Sequence, residues 1–279
     1  MKGKDMRETV RRHYGAIAGQ GASCCGSKAS CCGAGDEVSS SHSIGHSIGY
    51  SRQDMDSVPD GSNLGLGCGN PLAFASIKAG ETVLDLGSGA GFDCFLAAQR
   101  VDRSGKVIGV DMTPEMVDKA RENAERGGFY NVEFRLGEIE HLPVPDASVD
   151  LIISNCVINL SVNKTGVFQE AYRVLKPGGR LMISDIVLKG ELPRGFLESA
   201  AAYVRCVAGA SLRDEYLGLI DEAGFGKTEV LRETPYSLDL IIEDQHVQSL
   251  KAELRISDAE VMDIGSRIVS ISVSAVKPE

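Results

Sequence analysis

Three glycines, two acids and a scatter of cysteines carry the chemistry this chain has to offer. The stretch Val83-Leu-Asp-Leu-Gly-Ser-Gly-Ala-Gly91 is a short apolar run holding one acid, Asp85, and it breaks at Gly87, Gly89 and Gly91. An apolar helical pattern follows from Phe92 to Val101, and a second apolar run, Lys106-Val-Ile-Gly-Val110, ends in Asp111. Strand, glycine turn, helix and a second strand closed by an acid is an order of elements that cradles a nucleoside. Backbone approaches the ligand at the glycines, and Asp111 can accept from both ribose hydroxyls.

The spacing G-x-G-x-G departs from the G-x-G-x-x-G of dinucleotide sites, which weakens a pyrophosphate reading. An acid two residues before the first glycine also suits a pyrophosphate poorly. It suits an ammonium group, such as that of the methionine part of S-adenosylmethionine. The bland alternative is that Asp85 ties down the turn and the glycines serve packing. On these residues the chain resembles the class I S-adenosylmethionine-dependent methyltransferases. The resemblance implies a Rossmann-like α/β fold: a mainly parallel seven-stranded sheet with an antiparallel strand. It implies cofactor contacts from Asp85, Gly87, Ser88, Gly89, Gly91, Asp111 and Met112. It also implies that the turn Gly137-Glu-Ile-Glu140 passes the adenine, with Glu138 and Ile139 reading its edge, and that Asn155 closes a fourth strand beside the reactive methyl.

At that reactive end stands Cys156. Histidines are few, at 13, 42, 46, 141 and 246, which argues against histidine-driven deprotonation and favours a nucleophile that needs no base. Cys68 lies in Leu66-Gly-Cys-Gly-Asn70, where flanking glycines are expected to expose it. Cys206 follows a helical run on the connection after strand five. Thiols before strand one, after strand four and after strand five all pass the same rim of a parallel sheet and can converge. Cys68 and Cys206 can also be small buried hydrophobes, and that is the reading adopted for Cys94, inside an apolar helix.

The elements that must position these groups alternate. Strands are expected at 82–86, 106–111, 131–136, 149–155 and 180–187, and helices at 92–101, 114–127 and 166–175, a pattern of right-handed crossovers. Pro114 after Thr113 marks a helix start, and Lys176-Pro-Gly-Gly179 a turn into strand five. Pro71 can open a helix closing at Gly80. A helix near 211–223 precedes a strand at 227–233, expected to pair antiparallel with the alternating run 268–276; residues 237–264 add helix. Residues 4–18 read as an amphipathic helix with Met6, Val10, Tyr14 and Ile17 on one face. Residues 19–49, rich in Gly, Ser, Cys and His, read as a mobile loop. The expected organisation is an N-terminal helix and cysteine-rich loop over 1–49, a cofactor-binding core over 50–225, and a small C-terminal extension over 226–279.

With 279 residues the chain can bury one large α/β core, and its formal charge of −10 without a dense basic patch makes nucleic acid an unsuitable partner. No apolar run approaches the roughly 20 residues that span a bilayer, and no signal h-region is read at the N-terminus. Eight cysteines, four of them crowded into Cys24-Cys25 and Cys31-Cys32, do not form a secreted disulfide framework. A cytoplasmic protein with thiol or metalloid chemistry is expected.

The segments Asn63 to Pro71, Val83 to Asp93, Gly109-Val-Asp-Met-Thr-Pro-Glu-Met116, Ile153-Ser-Asn-Cys-Val-Ile-Asn-Leu160, Ser184-Asp-Ile and Cys206-Val-Ala-Gly209 closely resemble the arsenite methyltransferases. The resemblance covers about residues 50–225. It implies methylation of trivalent arsenic, as arsenite or its thiol conjugates, for detoxification. Three thiolates would hold the arsenic, at Cys68, Cys156 and Cys206, since soft ligands suit a soft metalloid. The arsenic lone pair would take the sulfonium methyl. The formal oxidation of arsenic would be reversed by cysteine pairs, which a glutathione- or thioredoxin-like reductant regenerates. The family also implies an N-terminal cysteine that pairs with Cys68; Cys24, Cys25, Cys31 and Cys32 all remain candidates for this capture or redox role, or for a zinc or adventitious metal site. Two other functions stay open: a C- or O-methyltransferase of a small organic acceptor such as a quinone precursor, and a non-catalytic metalloid or zinc binder.

Overall fold

The computed structural model describes residues 3–20, 36–192, 207, 209–235 and 257–279. Its core is a seven-stranded sheet built from β1 (Thr82–Leu86), β2 (Lys106–Asp111), β3 (Val132–Leu136), β4 (Val149–Asn155), β5 (Leu175–Leu188), β6 (Gly226–Pro235) and β7 (Ile268–Val276). The strand order is β3-β2-β1-β4-β5-β7-β6. The first five strands pair in parallel; β7 pairs antiparallel with both β5 and β6. This is the Rossmann-like methyltransferase sheet expected above, with the alternating run 268–276 inserted between β5 and the edge.

Side chains on successive strand residues face opposite ways, and the core divides accordingly. Leu84, Leu86, Ile108, Val110 and Ile152 pack one face, under α6 (Lys164–Val174) and α7 (Arg213–Glu222). Val83, Val107, Leu151 and Ile153 pack the other, under α4 (Phe92–Val101) and α5 (Pro114–Gly127). A sheet buried on both faces needs the near-continuous apolar strands seen here. The chain runs outward from β1 to β2 and β3, then returns to β4 on the other side of β1. The carboxyl ends of β1 and β4 therefore flank the switch point, where open α/β sheets bind ligands.

The N-terminal helix α1 (Gly3–Gln20) buries Val10 and Ile17 and packs Met6 and Tyr14, the face its periodicity marks. Three expectations are corrected. Within the stretch read as a loop, Asp36–Ser47 form a helix, α2, followed by a short α3 (Arg52–Asp56) with a Ser51 capping box. Pro71 opens only a 3-10 turn, Pro71–Ala73, with Asn70 as its N-cap, the Oδ1 accepting the Ala73 N–H. Thr113 occupies the N-cap of α5 without a capping bond, since it serves Asp111 instead. Residues 258–266 form α8 (Asp258–Ser266), capped by Ser257 and Glu260.

Candidate functional site

Gly87 and Gly89 adopt positive φ, 70° and 51°, at the exit of β1. A Cβ on Gly87 would lie 2.4 Å from Val157, so glycine is required for packing there, whereas the Cβ position of Gly89 faces open space. Backbone at Gly89 is thus where a ligand can come close. The Gly89 N–H donates to Asp111 Oδ2 at 3.0 Å and the Thr113 N–H to Asp111 Oδ1 at 2.8 Å. Both carboxylate oxygens are oriented before any ligand arrives.

The cavity at these strand ends has a volume of about 1160 Å³, its mouth included. Asp85, Gly87, Ser88, Gly89, Asp111, Met112, Ile139, Asn155 and Cys156 all line it. Two expected cofactor residues do not. Gly91 turns into α4 with φ 96°, and a Cβ there would meet Phe95 and Phe134 at 2.7 and 2.8 Å, so it is a packing glycine. Glu138 forms ion pairs with Arg7 and Arg11 of α1, and Ile139 and Glu140 of the same turn line the cavity.

Four acids line the cavity: Glu140, paired with Arg7, and three carboxyls gathered around the glycine turn, Asp85, Asp93 and Asp111. Burial raises the Asp85 carboxyl well above its usual range, and the neighbouring Asp93 charge adds to this, while the Cys94 thiol 3.2 Å away donates to it. Burial pushes Asp93 up to about 6, against hydrogen bonds from Tyr50 and Asn155 that pull it down. Burial also raises Asp111, opposed by its backbone donors. Carboxylates crowded in a low dielectric repel each other and favour a cationic ligand. Ser88 Oγ is buried with no partner among the described residues, a further polar atom left for a ligand.

Asp93 and Tyr50 were not singled out in the sequence. Tyr50 Oη donates to Asp93 Oδ1 at 2.5 Å, and Asn155 Nδ2 reaches Tyr50 Oη at 3.0 Å and Asp93 Oδ2 at 3.2 Å. An acid in the first turn of a helix behind a glycine loop was a usable signal for Asp93. Tyr50 had none, because it arrives from a segment with no periodic pattern.

Cys156 follows β4 in the left-handed region, φ 60°, and its N–H donates to Ser184 O at 2.8 Å. This conformation is costly for a residue with a Cβ, and here it accompanies a disulfide between Cys156 and Cys68, Cα atoms 5.7 Å apart and 88 residues apart in sequence. Cys68 is half-buried rather than exposed, because its flanking glycines press against the sheet: a Cβ on Gly67 or Gly69 would lie 2.7 Å from Asn155 or Ser184. The Asp185 carboxylate lies within 4.8 Å of both sulfurs. It is fully buried and raised to about 6 by that burial, while the Ile186 N–H and Tyr216 Oη donate to it. Cys206, and Cys24, Cys25, Cys31 and Cys32, lie outside the described residues. Val207 is buried in the apolar cluster that contains Cys156 and borders Cys68.

A family model described as a methyltransferase domain matches residues 77–224. An arsenite methyltransferase of Halobacterium salinarum is 47% identical over 281 aligned residues, covering 99% of this chain and 67% of the relative. The chain belongs to the arsenite methyltransferase family. An arsenite methyltransferase of Aquipseudomonas alcaligenes is 43% identical, over 62% of this chain and 51% of its own length. Among solved structures, an arsenic(III) S-adenosylmethionine methyltransferase from Chlamydomonas reinhardtii superposes with a TM-score of 0.63 at 32% identity, covering 84% of this chain and 74% of that one. The chain thus spans between half and two thirds of the length of these curated relatives.

The cofactor of this arsenite methyltransferase family member is S-adenosylmethionine. The residues fit it: buried acids for a ligand carrying ammonium and sulfonium charges, an oriented carboxylate for the ribose, an open glycine and an orphaned hydroxyl. No described helix is long and apolar enough to cross a membrane.

Proposed function

We propose that this protein methylates trivalent arsenic held by cysteine thiolates at the mouth of the cofactor cavity. The observation that carries the reading is the meeting of Cys68 and Cys156, from segments 88 residues apart, with Cys156 itself lining that cavity. When bound, S-adenosylmethionine supplies an electrophilic sulfonium methyl to the arsenic lone pair. The chain's own residues supply position. Asp111 and the glycine backbone hold the nucleoside, Asp85 and Asp93 offset positive charge, and Asn155 aligns the Cys68 loop with the cavity wall. Such alignment, more than proton transfer, accounts for the catalysis.

Cys206 is the third thiolate in this reading; the burial of Val207 beside Cys156 supports its assignment. Cys24, Cys25, Cys31 and Cys32 capture arsenic or relay electrons. A cytoplasmic setting and a glutathione- or thioredoxin-like reductant return the disulfide to thiols. Detoxification is the physiological purpose. A quinone-type acceptor would give no reason for two thiols to meet at this point.

The test is methyl transfer from labelled S-adenosylmethionine to arsenite, with a thiol reductant present, for wild type and Cys156→Ser side by side. Methylated arsenic from the wild type alone supports the reading. Equal turnover by the variant, or no arsenic product from a wild type that binds the cofactor, rejects it.

A further inference from the structure

Helix α1 closes the cofactor cavity. Arg7, Val10 and Tyr14 line the wall, and Arg7 is the only basic residue among the described residues that do so. Its guanidinium bridges two acids of the adenine-side turn: Nη1 lies 3.3 Å from Glu138 Oε2 and Nη2 lies 3.2 Å from Glu140 Oε1. Arg11, one helical turn on, adds a looser contact to Glu138 at 3.7 Å. From the opposite side, Ser161 Oγ donates to Glu140 Oε1 at 2.6 Å.

The two acids differ in what they need. Glu138 is about one-third exposed, at 32%, and an ion pair of that kind is worth little. Glu140 is 6% exposed. Removing its cationic partner would leave a nearly buried carboxylate with a single hydroxyl donor among the described residues, and that is costly. Arg7 Nε is itself buried without a hydrogen-bond partner among the described residues, so the guanidinium has a donor to spare.

The two ends of α1 are held differently. At its C-terminal end Ile17 and Ala18 pack with Met116 and Leu64, and Lys119 Nζ donates to Ala18 O at 3.2 Å. Toward its N-terminal end Val10 and Met6 pack into the apolar cluster of Leu160 and Ile264, and Arg7 and Arg11 tie the helix to the turn. The Arg7 guanidinium thus fastens the cavity-facing side of α1 to the turn.

We propose that Arg7 is a positioning residue of the cofactor site, which sets the adenine-side turn through Glu138 and Glu140 and latches α1 over the bound nucleoside. Release of S-adenosylhomocysteine then requires the latch to open. The inference rests on the cofactor cavity and not on the arsenic site.

The experiment uses the full chain. Labelled S-adenosylhomocysteine is bound to wild type, Arg7→Ala and Arg7→Lys, and its release is followed after dilution into excess unlabelled ligand. Amide exchange of residues 3–20 is recorded with and without ligand. Loss of a charge-assisted pair at a buried carboxylate predicts release faster by about tenfold in Arg7→Ala. Ligand protection of α1 should be lost as well, while α5 stays protected. Arg7→Lys keeps the charge without the fork and should fall between; if Arg7→Ala does not fold, this variant decides. Release and α1 exchange within twofold of wild type overturn the proposal. A wild type that binds no S-adenosylhomocysteine overturns it together with the cofactor assignment, whereas a failure to methylate arsenic leaves the release measurement standing.

Discussion

Asn155 holds the Cys68 loop: its Oδ1 accepts the backbone N–H of Cys68 at 3.1 Å, while its Nδ2 donates to Gly69 O at 2.8 Å. The same amide reaches Tyr50 and Asp93 on the cofactor side. This side chain therefore couples the Cys68 loop to the cofactor side of the cavity, while Ser270 Oγ holds the Cys68 carbonyl from the other side at 2.8 Å. Asn155→Ala should lower the single-turnover rate by about ten- to hundredfold, since small misplacements of reacting groups are expensive. Arsenite binding by the reduced protein should survive. A rate within threefold of wild type would show that the loop holds its position without this amide.

The glycines beside Cys68 are needed for a close approach. Gly69→Ala puts a Cβ 2.7 Å from Ser184 Cβ, and overpacking of this kind costs about 1–3 kcal/mol. Because the loop is easier to move than β5, the strain should appear as displacement of Cys68. Arsenite affinity should drop while S-adenosylmethionine affinity, read by calorimetry, stays near wild type.

Asp111 is oriented by two backbone donors in advance of any ligand. Asp111→Ala removes the acceptor for the ribose hydroxyls and should weaken S-adenosylmethionine binding by about tenfold or more. An unchanged dissociation constant would remove Asp111 from the site.

The buried acids make opposite predictions for binding and for stability. Asp93 titrates at about 6 in the folded protein against an ordinary value of 3.8. Asp185, also raised to about 6, behaves alike. The folded state therefore holds these protons more tightly than the unfolded chain, and the ligand-free protein should gain stability as pH falls from 6 toward 4.5. Below that, groups such as Glu133, lowered to about 2 by Arg135 and Lys106, reverse the trend as they lose their pairing. Cofactor affinity should instead fall from pH 7 to 5, as Asp93 loses the charge that attracts a cation. Thermal melts and titration calorimetry across that range check both signs; a dissociation constant flat from pH 7 to 5 would deny Asp93 a role in binding.

The Cys68–Cys156 disulfide offers no thiolate to arsenic. Protein handled without reductant should bind S-adenosylmethionine normally and arsenite at least an order of magnitude more weakly than reduced protein. Equal arsenite affinity in both states would place the metalloid elsewhere.

Much of this molecule is legible in one dimension. The strands, the glycine turn and Asp111 follow from local rules: apolar runs of strand length, positive φ at Gly87 and Gly89, and an acid closing the second strand. The face of α1 that is buried follows from its periodicity, because Val10 and Ile17 recur at helical spacing. Other assignments depended on contacts between distant segments. Glu138 and Glu140 are chemically alike and two residues apart, and Arg7 arrives from more than a hundred residues away to engage both, yet Glu140 is buried against the cavity while Glu138 stays about one-third exposed and meets Arg11 as well. Gly91 looks like Gly87 until Phe95 and Phe134 fold against it. Tyr50 and Asp93 became site residues only when Asn155 joined them. Residue type and spacing determined which groups could bind a nucleoside and a thiophile. Which of them face the ligand was decided by tertiary packing, since burial and pairing are properties of neighbours in space, and a chain in isolation does not specify which neighbours those are.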